Sequence, residues 1–207
     1  MKRLPIGSIY KAVRACMDEI GFNDADFIGF DKDNSELDLI IHNKIIEAIR
    51  HIELNAPLKY LDGISLSATF NIGADLVATI ALPDDFLRVV SVKVNTWNRA
   101  SNDVIYENDA EYFKQSDVYA RGTYESPIVA IVTNSAKLYS CKTSSDTLEK
   151  FIYIPSPIIE KNEEIESVSF CPKCENAIIN YIAGLTKQVL RDASASQHFE
   201  NAKEYLQ

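Results

Sequence analysis

The sequence predicts an α+β fold, and three observations carry that reading. Apolar residues recur at helical spacing from Ile9 to Ile20 and again from Leu37 to Ile52. The same period returns near the other end, from Cys174 to Leu190. Between Ile64 and Ser169 it gives way to short, Val/Ile/Tyr-rich runs that alternate sides, broken by Pro, Asp, Asn and Ser. The expected arrangement packs an N-terminal helix pair together with the C-terminal helix, flanked by a mostly antiparallel β-rich lobe. The expected divisions are 1–62 (helical), 63–169 (β-rich), 170–191 (helix) and 192–207 (tail or arm).

Each element has its own signal. Ser8 is a good helix N-cap, followed by Ile9, Ala12, Val13, Cys16 and Ile20, with Gly21 as a left-handed stop. Residues 22–34, mixing aromatic and acidic side chains, read as a loop. Ser35 and Asp38 resemble a capping box. Leu37, Ile40, Ile41, Ile45, Ala48, Ile49 and Ile52 then line one helix face, and Pro57 closes it. Strands are expected over 76–83, 86–94, 127–132, 136–141 and 150–155, with Val90, Val92 and Val94 sharing a face. Asn134-Ser135 suggests a hairpin, and 108–119 a short helix or irregular excursion set into the sheet. Connections too short for repeated helical crossovers favour antiparallel pairing. Pro172 suits the first position of the last helix, where its missing N–H costs nothing.

Composition bounds the function. The chain has 207 residues, 46% hydrophobic and 25% charged, so it can bury roughly 70% of its unfolded surface without a metal or disulfide. The net charge of −9 comes without a basic stripe, which argues against gripping nucleic acid through phosphates. A wall that DNA slides past is compatible with such a balance. No apolar run approaches the roughly 18 residues needed to span a bilayer, and Met1 to Ile9 lacks the apolar stretch of a signal peptide. The expectation is a soluble protein, made in a reducing cytoplasm, with no membrane partner.

Candidate chemistry is sparse. Cys171-Pro172-Lys173-Cys174 is a C-x-x-C at a helix start, a pattern that lowers a thiol pKa in redox proteins and contributes half of some zinc sites. Here it opens the last helix rather than following a first strand, and no second C-x-x-C or H-x₃₋₅-H accompanies it. Structural thiols are expected, with a Cys171/Cys174 redox protein as the alternative. His42 and His51 lie nine residues apart on one helix, the wrong spacing for a shared metal, and His198 sits in the polar tail. Asp84-Asp85 follows Pro83 and reads as turn chemistry, and the acidic run at 163–166 as a solvated strand or loop. No nucleotide-binding or hydrolase motif is present. No catalytic residue, metal or cofactor is expected, and the protein reads as a structural subunit rather than an enzyme.

Ten tyrosines and nine phenylalanines point instead to surfaces. The candidate interface residues are Trp97, Arg99, Tyr112, Phe113, Tyr119, Tyr124, Phe199, Tyr205 and Leu206.

Four stretches in order carry a family resemblance: IALPDDFLRVVSVKVNTWNRA (80–100), AEYFKQSDVYARG leading to SPIVAIV (110–132), KFIYIPSP (150–157) and CPKCENAIINYIAGLTKQVLRD (171–192). Across roughly 76–205 the chain resembles the head-to-tail adaptor, or connector, proteins of short-tailed phages, the crAss-like phages among them. The resemblance implies a virion neck protein. Its copies would form a cyclic homo-oligomer, commonly a dodecamer, beneath the portal protein. That ring would extend the DNA channel without binding DNA specifically and would dock other neck and tail ring proteins. Residues 192–207 would be a C-terminal arm. Another tail or baseplate interaction module is the structural alternative.

Overall fold

The computed structural model describes residues 1–18, 31–162 and 165–207, with the side chains of 31–35 left aside. The predicted residues Ile20 and Gly21, most of the 22–34 loop, and Glu163-Glu164 lie outside the described set. In chain order the elements begin with β1 (Lys2–Pro5), α1 (Ile6–Cys16) and α2 (Asp31–Asn55). Eight strands follow: β2 (Ile64–Ser65), β3 (Phe70–Ile72), β4 (Ala78–Ala81), β5 (Phe86–Val94), β6 (Val104–Tyr106), β7 (Val129–Val132), β8 (Ser135–Leu138) and β9 (Leu148–Pro155). The chain ends with β10 (Ile159–Asn162), β11 (Ile165–Phe170), α3 (Glu175–Val189) and α4 (Ala195–Glu204). The protein is α+β, and among the described residues the strand pairings are antiparallel except for β6 with β7.

The chain divides into two compact units, one from Met1–Asp62 with Ser156–Gln207 and one from Gly63–Pro155. The predicted β-rich stretch ran to 169, but β10 and β11 belong to the helical unit. The reason is β1, which the sequence reading missed: it pairs antiparallel with β11, and β11 pairs with β10, making a three-stranded sheet against α1.

In the helical unit α3 is the central element, in contact with α1, α2 and α4. Ile9 and Val13 of α1, Ile41, Ile45, Ile49 and Ile52 of α2, and Ile178 and Ile182 of α3 are all buried, so the three predicted stripes face one another. Two start signals differ from expectation. Helix α1 begins at Ile6 behind an extended Pro5, so Ser8 lies in its first turn instead of capping it. Helix α2 opens at Asp31, one turn before the expected cap at Ser35. The tail, which the sequence leaves open as a last short helix or an arm on a neighbour, forms the helix α4, laid along α3 of its own chain with Ala202 buried. Arg191, with φ 58°, turns the chain between these two helices.

The second unit contains a three-stranded sheet, β2-β9-β5, and a five-stranded one, β3-β4-β8-β7-β6. Ala78, Ile80, Val129, Ile131, Ala136 and Leu138 of one sheet share a core with Val89, Val92, Val94, Phe151 and Tyr153 of the other. Register shifts along the β5–β9 pairing, one between Val89 and Ser91, place Val89 in the core with Val92 and Val94 and leave Val90 half-buried. The strict alternation read from the sequence therefore fails at one residue. The β7–β8 hairpin turns on Thr133-Asn134, one residue earlier than expected, with Thr133 at φ 49°. Phe86 N–H donates to the Pro83 carbonyl at 3.0 Å, so Asp84 and Asp85 form the predicted turn.

Candidate functional site

Parallel pairing of β6 with β7 demands a crossover, and residues 107–128 supply it without an α-helix. The segment is a succession of tight turns. Tyr112 N–H donates to Asp109 O at 3.0 Å, Gln115 N–H to Tyr112 O at 3.0 Å, and Arg121 N–H to Asp117 O at 2.9 Å. Gln115 fastens it from inside. Its side chain is buried, its Oε1 accepts Gly122 N–H at 3.0 Å, and its Nε2 donates to Glu111 O at 3.4 Å. Gly122 sits close beneath it: a Cβ there would stand 3.0 Å from both Ile128 and the Ser140 hydroxyl.

The outer side of this loop exposes apolar side chains among charged ones. Phe113 is 73% exposed, Tyr119 99% and Val118 66%. Tyr112 is half-buried and set edge-on to Phe113. Burial first, and the neighbouring Tyr112 second, push the Tyr139 hydroxyl up to about 12. Of the nine predicted interface residues, the structure brings Tyr112, Phe113 and Tyr119 into one protrusion.

The other predicted residues divide differently. Trp97 is a correction: it is 2% exposed, and its Nε1 donates to Ser140 O at 3.0 Å inside the β core. Arg99 is exposed, 3.8 Å from Asp103. Tyr124 packs against that core with Lys142 over its ring, a half-buried cation–π contact. Phe199 is half-buried, its ring packed against Gly184 and Tyr181 of its own chain. Tyr205 is exposed just past α4, and Leu206 is half-buried beside it.

Phe199 and Leu206 line a groove of about 380 Å³ in the helical unit. Ile52, Pro57, Tyr181 and Ala202 complete its apolar walls, with His51 stacked on Tyr181 at 4.4 Å between centroids. Sequence reasoning missed His51 and Tyr181 because they meet only when α2 and α3 pack.

The cysteines are placed against thiolate chemistry. Cys171 and Cys174 are fully buried and unpaired by disulfide. Their sulfurs point at backbone carbonyls, Cys171 at Asp62 O (3.7 Å) and Cys174 at Tyr60 O (3.8 Å). Burial, then the nearby Glu53 carboxylate, pushes both thiols up, Cys174 to about 11. Glu53 is itself buried and accepts Cys171 N–H at 2.7 Å. Burial raises its carboxyl pKa, and hydrogen bonding from Cys171 opposes that in part.

Cys16, half-buried, donates to Asn180 Oδ1 at 3.4 Å and lies 3.8 Å from His198 Nδ1. The residue types resemble a thiol–imidazole dyad, but burial, then Asp18, raises the thiol pKa. Burial, then Lys187, lowers that of the imidazole. Both shifts favour the neutral pair over thiolate and imidazolium. Among the described residues no group of three His, Cys, Asp or Glu side chains converges to hold a metal. Nor is any described helix long and apolar enough to cross a membrane. Compared with protein-family models and with curated proteins, the chain matches none.

Proposed function

We propose that this chain is a non-enzymatic structural subunit of a virion neck, a head-to-tail adaptor that assembles into a ring beneath a portal. The supporting observation is the excursion between β6 and β7. A buried glutamine and a ladder of turns hold it in one shape, while Phe113, Val118 and Tyr119 face solvent. A pre-shaped loop offering aromatic anchors binds another protein at low ordering cost. Burial, by contrast, raises the pKa of the Cys16, Cys141, Cys171 and Cys174 thiols, which suits packing rather than thiolate chemistry.

Ring closure requires each copy to present two different surfaces, because a heterologous contact repeats until it meets itself. Portal protein would bind on one side of the ring and further neck or tail rings on the other. DNA would pass through without specific binding, in keeping with a net charge of −9. Native mass spectrometry and electron microscopy of the full chain mixed with portal rings test this reading. A cyclic oligomer seated on the portal is expected. A stable monomer with portal present overturns it.

A further inference from the structure

We propose that Cys16, Asn180 and His198 form a zinc-binding site that fastens α1, α3 and α4 together. Each helix supplies one donor: the Cys16 sulfur from the end of α1, the Asn180 side-chain oxygen from α3 and the His198 ring from α4. Cys16 Sγ lies 3.4 Å from Asn180 Oδ1 and 3.8 Å from His198 Nδ1. The amide is oriented for this role. Asn180 Nδ2 donates to Asn176 O at 2.9 Å, one turn back in α3, which leaves Oδ1 facing the thiol. Two of the donors are of the usual metal-binding types, and the third is an amide oxygen.

The spacing fits a metal ion. Zinc binds sulfur at about 2.3 Å, imidazole nitrogen at about 2.0 Å and oxygen at about 2.1 Å. An ion at those distances would subtend about 120° between Sγ and Nδ1 and about 100° between Sγ and Oδ1, either side of the tetrahedral angle. Sulfur, imidazole and one oxygen make the mixed donor set that a borderline-soft cation takes. Solvent can complete the fourth position, because Cys16 and His198 are only half-buried. Around the ring, the charges of Asp18 and Asp192 outnumber that of Lys187, which Asp192 holds at 2.8 Å. A neutral imidazole is the form that ligates metal. On binding, the Cys16 S–H bond is replaced by an S–Zn bond, and the thiol proton leaves to solvent.

Cobalt substitution in the metal-stripped full chain tests the site. Co²⁺ added stepwise should produce a thiolate-to-cobalt charge-transfer absorption that saturates at one equivalent, and Zn²⁺ should abolish it by displacement. In the unsubstituted protein Zn²⁺ should also slow alkylation of Cys16, read by peptide mass mapping, at least about tenfold. Cys16→Ser, checked for folding by circular dichroism, should lose the absorption, and His198→Ala should weaken Co²⁺ binding at least about tenfold. The absence of that absorption at saturating Co²⁺ overturns the proposal and leaves a thiol–imidazole hydrogen bond only. An absorption that survives Cys16→Ser places the metal on another thiol and overturns it too, as does unweakened binding by His198→Ala. Each readout is made on the chain without portal, so the result is independent of ring assembly.

Discussion

Replacing Gly184 by alanine tests how α4 is held. At an exposed position in a helix interior, glycine to alanine gains about 0.8–1 kcal/mol from propensity alone. At Gly184 an added Cβ would stand 2.6 Å from Phe199 Cε1, 2.8 Å from Cδ1 and 3.1 Å from Cζ. Three atoms of one ring are in the way, and Tyr181, 5.1 Å from that ring between centroids, limits its retreat. Overpacking of this kind costs about 1–3 kcal/mol, so the net effect is a loss of about 0–2 kcal/mol where the exposed site would show a gain. The decisive measurement is a double-mutant cycle. In a Phe199→Ala background the obstructing ring is absent, and Gly184→Ala should regain its favourable sign, giving a coupling energy of about 1–3 kcal/mol. Urea denaturation followed by far-ultraviolet circular dichroism suits the helical unit, because Trp97, the sole tryptophan, reports on the other one. Limited proteolysis around Arg191–Ser194 should quicken as α4 loosens. Stabilisation by about 1 kcal/mol in both backgrounds, with no coupling, would refute the packing argument.

Further expectations follow from burial. Trp97→Ala should cost about 3–5 kcal/mol of β-unit stability by chemical denaturation, and Trp97→Phe less, mainly the Ser140 hydrogen bond; unchanged stability with altered association would return Trp97 to the surface. In the native protein an aromatic disulfide reagent should label Cys16 first, with Cys141, Cys171 and Cys174 protected until denaturation. Rapid native labelling of Cys171 or Cys174 would revive thiol chemistry at the C-x-x-C. Glu53→Gln keeps an acceptor for Cys171 N–H and removes a buried charge. Because the folded carboxyl pKa is raised, the folded state holds the proton longer, and wild-type stability falls as pH rises above the unfolded value of about 4.3. The variant should therefore be the more stable at pH 7, with the gap closing below about pH 4; a pH-independent difference would contradict this.

What was legible in the sequence was periodicity. The stripes of α2 and α3 and the run from Phe86 to Val94 are long enough for local pattern to set the element. The failures occur where a distant partner decides. Lys2–Pro5 carries no strand signal of its own and becomes β1 because β11 presents an open edge. The same pairing draws β10 and β11 into the helical unit, which no feature of 159–170 announces. At Val89 a bulge reverses the face of a strand without any glycine or proline to mark it. Ser8 and Ser35 are sound caps by residue type, yet propensity yields to tertiary context, and both helices start earlier.

The candidate surface was half visible for a related reason. Composition flags the aromatics of 106–124 but cannot rank them, since an irregular loop has no period from which to infer a face. The structure ranks them by inverting the usual preference: Gln115 points inward and is satisfied by Gly122 N–H and Glu111 O, while Phe113 and Tyr119 point outward. Burying a phenylalanine-sized side chain is worth about 1.5–3 kcal/mol, a gain this fold forgoes twice within seven residues. Turning the glutamine out and an aromatic in would recover it in the monomer at the expense of the loop's shape. On the proposed reading, that gain is recovered in a contact with another protein. That is why the exposed pair, and not the more conspicuous tryptophan or the C-x-x-C, carries the functional reading.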